Sequence, residues 1–211
     1  MKRSDPHRFD DELRERLRSH LAGHDREPVP IGALRAASVA ATIVGDGRGR
    51  ACFLITRRAA VMKTHAGQWA LPGGRIEEGE DAPEAALREL EEEIGLHLDR
   101  EAVLGVLDDY PTRSGFIITP VVVWGGESPE LTPDPREVAR IHVVPLSKLD
   151  APGVPRLRRI PESERPVISI PMLGTHIHAP TAAVLYQLRE VAIHGRPTRV
   201  AHFEQPVFAW R

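Results

Sequence analysis

GGRIEEGEDAPEAALRELEEEIGL, residues 73–96, contains a helix together with the signals that start and stop it. Asp81 followed three residues later by Glu84 has the form of a capping box, Pro83 is tolerated in a first turn, and Gly95 is placed to end the helix. At about 100° per residue, setting Glu89 to zero puts Glu93 at about 40°, Glu92 at about 300° and Arg88 at about 260°, whereas Leu90, Leu87 and Ile94 fall between roughly 100° and 160°. Three carboxylates therefore share one face and the apolar residues another. Like charges at i,i+3 and i,i+4 cost an isolated helix roughly 0.2–0.5 kcal/mol per pair. A hard divalent cation, Mg²⁺ or Mn²⁺, would offset that repulsion, because such ions prefer carboxylate oxygens and Mg²⁺ keeps waters that a phosphate can replace. An acidic run standing alone is more often a solvated face.

The flanking sequence adds a second charge. From residue 47 to 76 there are six basic residues (Arg48, Arg50, Arg57, Arg58, Lys63, Arg75) and no acidic one; from 77 to 93 there are nine acidic residues against the single Arg88. A cationic strip beside an acidic cluster can hold an anion next to a cation. Apolar runs at 37–44, 51–56, 102–106, 117–124 and 139–144 read as strands, separated by turn residues such as GDGRG. Phe9, Leu13, Leu17 and Leu21 recur every four residues as the stripe of a short amphipathic helix, and residues 24–32, with two prolines, read as a linker. Residues 154–170, broken by prolines and arginines, read as an irregular excursion with short strands. Residues 181–194 read as a second helix with Ala183, Leu185, Leu188 and Val191 on one side. Strands mixed with flanking helices predict an α/β fold in α/β/α layers, a mixed sheet between helices. The division is a helix and linker over 1–32 and a main domain over 33–211.

Reading from Gly74, the order is Gly, five residues, Glu80, seven residues, Arg88-Glu89-Leu90, one residue, Glu92-Glu93, one residue, Gly95-Leu96. This resembles the Nudix box at every defined position, a coincidence of about 10⁻⁹ to 10⁻¹⁰ per starting position at ordinary residue frequencies. The resemblance, over about residues 35–195, implies a Nudix α/β/α sandwich and hydrolysis of a nucleoside diphosphate linked to another moiety. It implies that Glu89, Glu92 and Glu93 bind Mg²⁺ or Mn²⁺ with backbone help around Gly73 and Gly74, that Arg88 orients these carboxylates, and that Glu80 supports the loop or a further metal. Glu92 and Arg88 are counted with the catalytic group. The water activator varies among Nudix enzymes, and Glu137, in PREVARIHVVPL before a predicted strand, is the candidate.

Residues 54–74, LITRRAAVMKTHAGQWALPGG, are similar to the additional motif of the coenzyme A pyrophosphatase branch. Thr56, Arg58, Met62, His65, Gly67, Gln68, Pro72, Gly73 and Gly74 match; Ala59, Lys63 and Leu71 depart from the usual Ser, Arg and Phe. The substrate-contacting candidates are then Arg58, Lys63, His65, Gly73 and Gly74, the two cations suiting the phosphates of coenzyme A. Trp69 and Trp124 are expected to pack against the sheet, with stacking on adenine as the other reading. In IHAPTAAVLYQL (177–188), His178 and Ala179 replace a Trp-Gly pair of the same branch ahead of a helix start expected to face substrate. The implied reaction cleaves coenzyme A or acyl-CoA to 3′,5′-ADP and (acyl-)4′-phosphopantetheine. The alternatives are an enzyme for ADP-ribose or another nucleoside diphosphate derivative, and a non-catalytic nucleotide-binding Nudix module.

Composition narrows the classes further. The chain has 211 residues, a single cysteine and a formal net charge of −2. No internal disulfide can form, no global basic field draws it to nucleic acid or anionic lipid, and no apolar window approaches a membrane span. The expectation is a cytoplasmic enzyme whose partners are a small nucleotide substrate and, as a homodimer, a second copy of itself, with no nucleic acid and no membrane.

Overall fold

The structure, a computed structural model, describes residues 6–60 and 67–210. Met62, Lys63 and His65 lie outside the described residues. Strand β1 (Arg35–Gly45) is buried along nearly its whole length, as a strand covered on both faces must be. It pairs antiparallel with β2 (Ala51–Arg58), for example Ile43 opposite Phe53, and with β4 (Gly73–Arg75). It pairs in parallel with β7 (Phe116–Glu127) from Arg35–Phe116 to Ile43–Trp124. Parallel neighbours need a crossover, and here the chain between them carries helix α2 (Ala82–Ile94). The core order is β3 (Trp69–Ala70), β2, β1, β7, β5 (Val103–Val106), with β8 (Val138–Pro145) on β2 and the two-residue β6 (Tyr110–Pro111) on β7. The sheet is mixed, and all five predicted strands are present.

The period-two alternation of a strand assigns the faces. Ala40, Val44, Cys52, Leu54, Val121 and Val123 pack under Ala86, Leu90 and Ile94 of α2. Ala41, Ile43, Phe53, Ile55 and Val122 face the other way, into a cluster with Leu13, Leu17 and Leu21 of α1 (Asp11–Ala22) and with α3 (Thr181–Gln187). Helices on both faces make the α/β/α sandwich. The three leucines of α1 are at most 5% exposed, each contributing about 1.5–3 kcal/mol by burial; the first helix shares the main core.

Three segments differ in detail from the sequence reading. Residues 24–32 are without regular structure but are held: Asp108 accepts from His24 Nε2 at 3.0 Å and the Glu27 amide at 2.9 Å, and Asp109 from Arg26 and the Val29 amide. Residues 154–170 are more regular than expected, forming β9 (Arg156–Ile160) and most of β10 (Ser163–Met172), which with β11 (Thr175–His178) make a three-stranded antiparallel sheet. The predicted helix 181–194 is α-helical to Gln187 and then π-helical over Leu188–Ile193. It has no polar face: Gln187 and Glu190 are themselves buried, because Gln187 donates to Asp108 and the Thr198 carbonyl and Glu190 pairs with Arg189 and Arg196.

Candidate active site

The capping box is present in both directions, Asp81 accepting from the Glu84 amide and Glu84 from the Asp81 amide, and Gly95 ends α2 in the left-handed conformation at φ 69°. The start of α2 is moored to the sheet by the Ser38 hydroxyl, 2.7 Å from the Ala82 carbonyl. This fixes the box carboxylates relative to β4, which runs antiparallel to β1 just before the helix.

Arg88 organises three of the acids. Its Nε and one terminal nitrogen hold Glu80 at 2.8 and 3.1 Å, the other terminal nitrogen holds Glu89 Oε1 at 2.9 Å and Glu92 Oε2 at 3.0 Å, and a further bond runs to the Arg75 carbonyl. Its guanidinium is consequently held well above the ordinary arginine pKa, first by the Glu80 bonds. Glu80 in turn accepts from the Glu77 amide, and Arg88 pulls its carboxyl below the usual range. Each of Glu89 and Glu92 commits one oxygen to Arg88; Oε2 of Glu89 and Oε1 of Glu92 are left without a hydrogen bond among the described residues.

Glu93 differs from its place on the helical wheel. It is only 4% exposed, because the β4 strap covers it. Burial is the main cause that pushes its carboxyl up to about 8; Arg58 and the nearby Gly73 amide oppose the shift, and Glu89 and Glu137 add to it. Glu89 is also raised by burial, despite the Arg88 bonds. A Cβ on Gly74 would fall 2.1 Å from Glu89 Oε1, and one on Gly73 2.3 Å from the Ser38 carbonyl oxygen. The paired glycines therefore allow the strap to lie against both the box carboxylates and β1.

Glu137 is exposed on the turn before β8, and its charge is felt by both Glu89 and Glu93. Its carbonyl accepts from the Ala59 amide at 2.8 Å, which ties that turn to the end of β2. Arg58, at that end, acts electrostatically on Glu93 but makes no ion pair with it within 4 Å, and its Nε is buried without a partner among the described residues. Arg58 thus faces the box.

Four features had no individual role in the sequence reading. Arg57 lies over the Trp69 ring at 4.7 Å, His142 meets that ring edge-on at 4.9 Å, the Gly73 amide reaches Glu93, and the Arg75 carbonyl anchors Arg88. The basic strip pointed to Arg57, but its direction depends on pairing between strands. Trp124 stacks on Phe9, centroids 4.1 Å apart, so it packs against the start of α1. The start of α3 comes beside the site's approach: the Thr181 hydroxyl donates to the Trp69 carbonyl at 3.3 Å.

Among the described residues, no three His, Cys, Asp or Glu side chains converge as a ready-made metal site. The donor chemistry nevertheless fits a hard divalent cation. The donors are all carboxylate oxygens, two of them unengaged, and Glu93 is a buried acid whose ionisation lacks a compensating positive contact. No helix among the described residues is long and apolar enough to cross a membrane.

The chain is similar to an uncharacterized Nudix hydrolase NudL of Photorhabdus laumondii, 41% identical over 97 residues, which cover 46% of this chain and 52% of that one. It is also similar to Nudix hydrolase 22, chloroplastic, of Arabidopsis thaliana, 34% identical over 128 residues, covering 59% and 40%. The chain spans about half the length of the first curated relatives it matches. The crystal structure of the M. smegmatis Nudix hydrolase RenU aligns with a TM-score of 0.49 at 24% identity, over 74% of this chain and 84% of that one. The NUDIX domain pattern matches residues 34–163, well over half of the chain, and the chain belongs to the Nudix family.

Proposed function

We propose that this protein hydrolyses the diphosphate of a nucleotide derivative with a divalent cation, and that its substrate is coenzyme A or an acyl-CoA, cut to 3′,5′-ADP and (acyl-)4′-phosphopantetheine. The observation that carries the hydrolase reading is the buried Glu93 beside Glu89, with Arg88 holding Glu80, Glu89 and Glu92 around it. Mg²⁺ or Mn²⁺, held by Glu89, Glu92 and Glu93 with Glu80 near, would neutralise the phosphate oxygens that gain charge as the anhydride breaks. Arg88 positions the carboxylates, and Arg58 adds positive charge where a diphosphate would lie. Water adds to one phosphorus, the P–O–P bridge breaks, and the water's proton passes to a base. The coenzyme A assignment is supported by the match over residues 54–74, which lead along β2 into β3 and β4 and so into the box.

The test is to incubate the protein with Mg²⁺ or Mn²⁺ and coenzyme A, acyl-CoAs, dephospho-coenzyme A, ADP-ribose, NADH and nucleoside triphosphates, and to identify products by mass. Coenzyme A should give 3′,5′-ADP at the highest kcat/KM. Preference for ADP-ribose would replace the substrate; no turnover with any would leave a nucleotide-binding module. Because Arg58 faces the box, Arg58→Ala should lower kcat/KM for coenzyme A, dephospho-coenzyme A and ADP-ribose together, by roughly 10-fold or more, the weight of a hydrogen bond to a charged group.

Glu137 is the proposed base, near the buried Glu93 and the half-buried Glu89 and exposed to water. Glu137→Gln should lower kcat and remove the acidic limb of the pH-rate profile. An unchanged profile would move the role to a box glutamate.

A further inference from the structure

Strand β2 pairs with β8 in order, Thr56 with Ile141 and Arg57 with Arg140, and then slips so that Arg58 pairs with Val138. The extra residue, Ala139, is a bulge, and bulges re-aim side chains next to sites. Independently of the bulge, successive side chains of β2 leave on opposite faces of the sheet, so the two neighbouring arginines serve different places: Arg58 acts on Glu93, whereas Arg57 lies over Trp69. His142 stands against the other side of this group, edge-on to the same ring, and Arg140 is directly across from Arg57. The Trp69 backbone is braced by Thr181.

The cluster is positive and uncompensated. Neither Arg57 nor Arg140 has a carboxylate within ion-pair distance among the described residues, although like charges directly opposite on paired strands are destabilising. Burial, then Arg140 and Arg57, hold the His142 imidazole below its usual pKa, which shows both arginines near enough to repel its proton. The aromatic ring fixes the Arg57 guanidinium by a cation–π contact and leaves its forked donors for a planar or tetrahedral anion. An anion there would relieve the repulsion between the two arginines and could accept from the His142 imidazole.

We propose that Arg57, held on Trp69 and flanked by His142 and Arg140, is the specificity pocket for a second, non-scissile phosphate of the substrate, the group that separates coenzyme A from dephospho-coenzyme A. This rests on the nucleotide-diphosphate reading above. The two arginines are the last residues of β2 and leave on opposite faces of the sheet, so one ligand wrapped around that strand end would meet Arg58 with its diphosphate and Arg57 with its remote phosphate.

The test needs no turnover. Adenosine 3′,5′-bisphosphate and 5′-AMP are titrated into the full chain and binding is read by calorimetry. The parent should bind the bisphosphate about 10-fold or more tightly, Arg57→Ala should erase the preference, and Arg57→Lys, which keeps the charge without the fork, should retain part of it. Equal binding of both nucleotides by the parent, or a preference that survives in folded Arg57→Ala, overturns the proposal. If Arg57→Ala does not fold, an undiminished preference in Arg57→Lys overturns the fork's role, and a reduced one supports it. Activity separates the two readings. A bisphosphate preference in a protein that does not cut coenzyme A would remove the substrate assignment and keep the pocket. If coenzyme A is cut and the kcat/KM ratio of coenzyme A over dephospho-coenzyme A is unmoved by Arg57→Ala, the pocket is removed and the reaction kept.

Discussion

Glu93→Gln should cut turnover by roughly 10²–10³-fold while leaving the fold intact, and should make the metal-free protein more stable rather than less. The loss follows from removing a carboxylate charge where a cation is to be held, an effect of several kcal/mol at about 1.4 kcal/mol per tenfold. The gain follows from burial. The carboxyl is pushed up to about 8 in the folded protein against an ordinary value of 4.5, so between these pH values the folded state binds more protons than the unfolded state. Stability of the metal-free parent must therefore fall as pH rises through that window, by at most about 1.4 kcal/mol per pH unit, the limit for one proton. Glutamine has no proton to lose, so the variant's stability should be flatter there. Cation affinity of the parent should climb over the same range, because binding must displace that proton. Urea unfolding at pH 5, 6, 7 and 8 with chelator, together with turnover at saturating Mg²⁺, checks every part. Parallel pH dependences for parent and variant, or equal turnover, would remove Glu93 from the site.

Gly73→Ala should be among the most damaging single substitutions in the chain, costing roughly 3 kcal/mol or more, at the upper end for overpacking. The added Cβ would lie 2.3 Å from the Ser38 carbonyl oxygen and 2.7 Å from the Val39 Cα. Both are backbone atoms of β1, which is buried along nearly its whole length, and cannot swing away. The β4 strap would have to lift, taking the Gly73 amide from Glu93. Gly74→Ala is the informative contrast, since its Cβ meets Glu89 Oε1, the far end of a side chain that can rotate. That variant should stay within about 1 kcal/mol of the parent in stability yet lose roughly 10²-fold in turnover, the scale of an ångström-sized displacement of a reacting group. Urea melts and kcat for the two variants decide; similar stability for both would mean the strap is not pressed between β1 and α2.

What the sequence determined by itself was whatever depends on neighbours along the chain. The α2 cap pair Asp81 and Glu84, the stop at Gly95, and the apolar stripe of Leu90 and Ile94 are local in origin, as is the parity that sends Leu54 to one face of the sheet and Phe53 to the other. The box spacing belongs here too, because Arg88 reaches Glu92 one helical turn on and Glu80 on the adjoining loop. Tertiary structure decided what depends on a segment laid over another. The wheel could place Glu93 on the charged face but could not show that the β4 strap buries it. Parity also parts the doublet Arg57-Arg58, but only the meeting of β2 with β3 and β8 set one arginine over Trp69 and the other toward Glu93. The segment 24–32 carried the composition of a free connector because its partners, Asp108 and Asp109, lie some 80 residues away. Helix and turn signals are short-range energies that recur wherever the residues do. Burial, register and long-range pairing are set only when distant strands meet, and at this site they fix which carboxylate keeps its proton and which arginine is left to meet an anion.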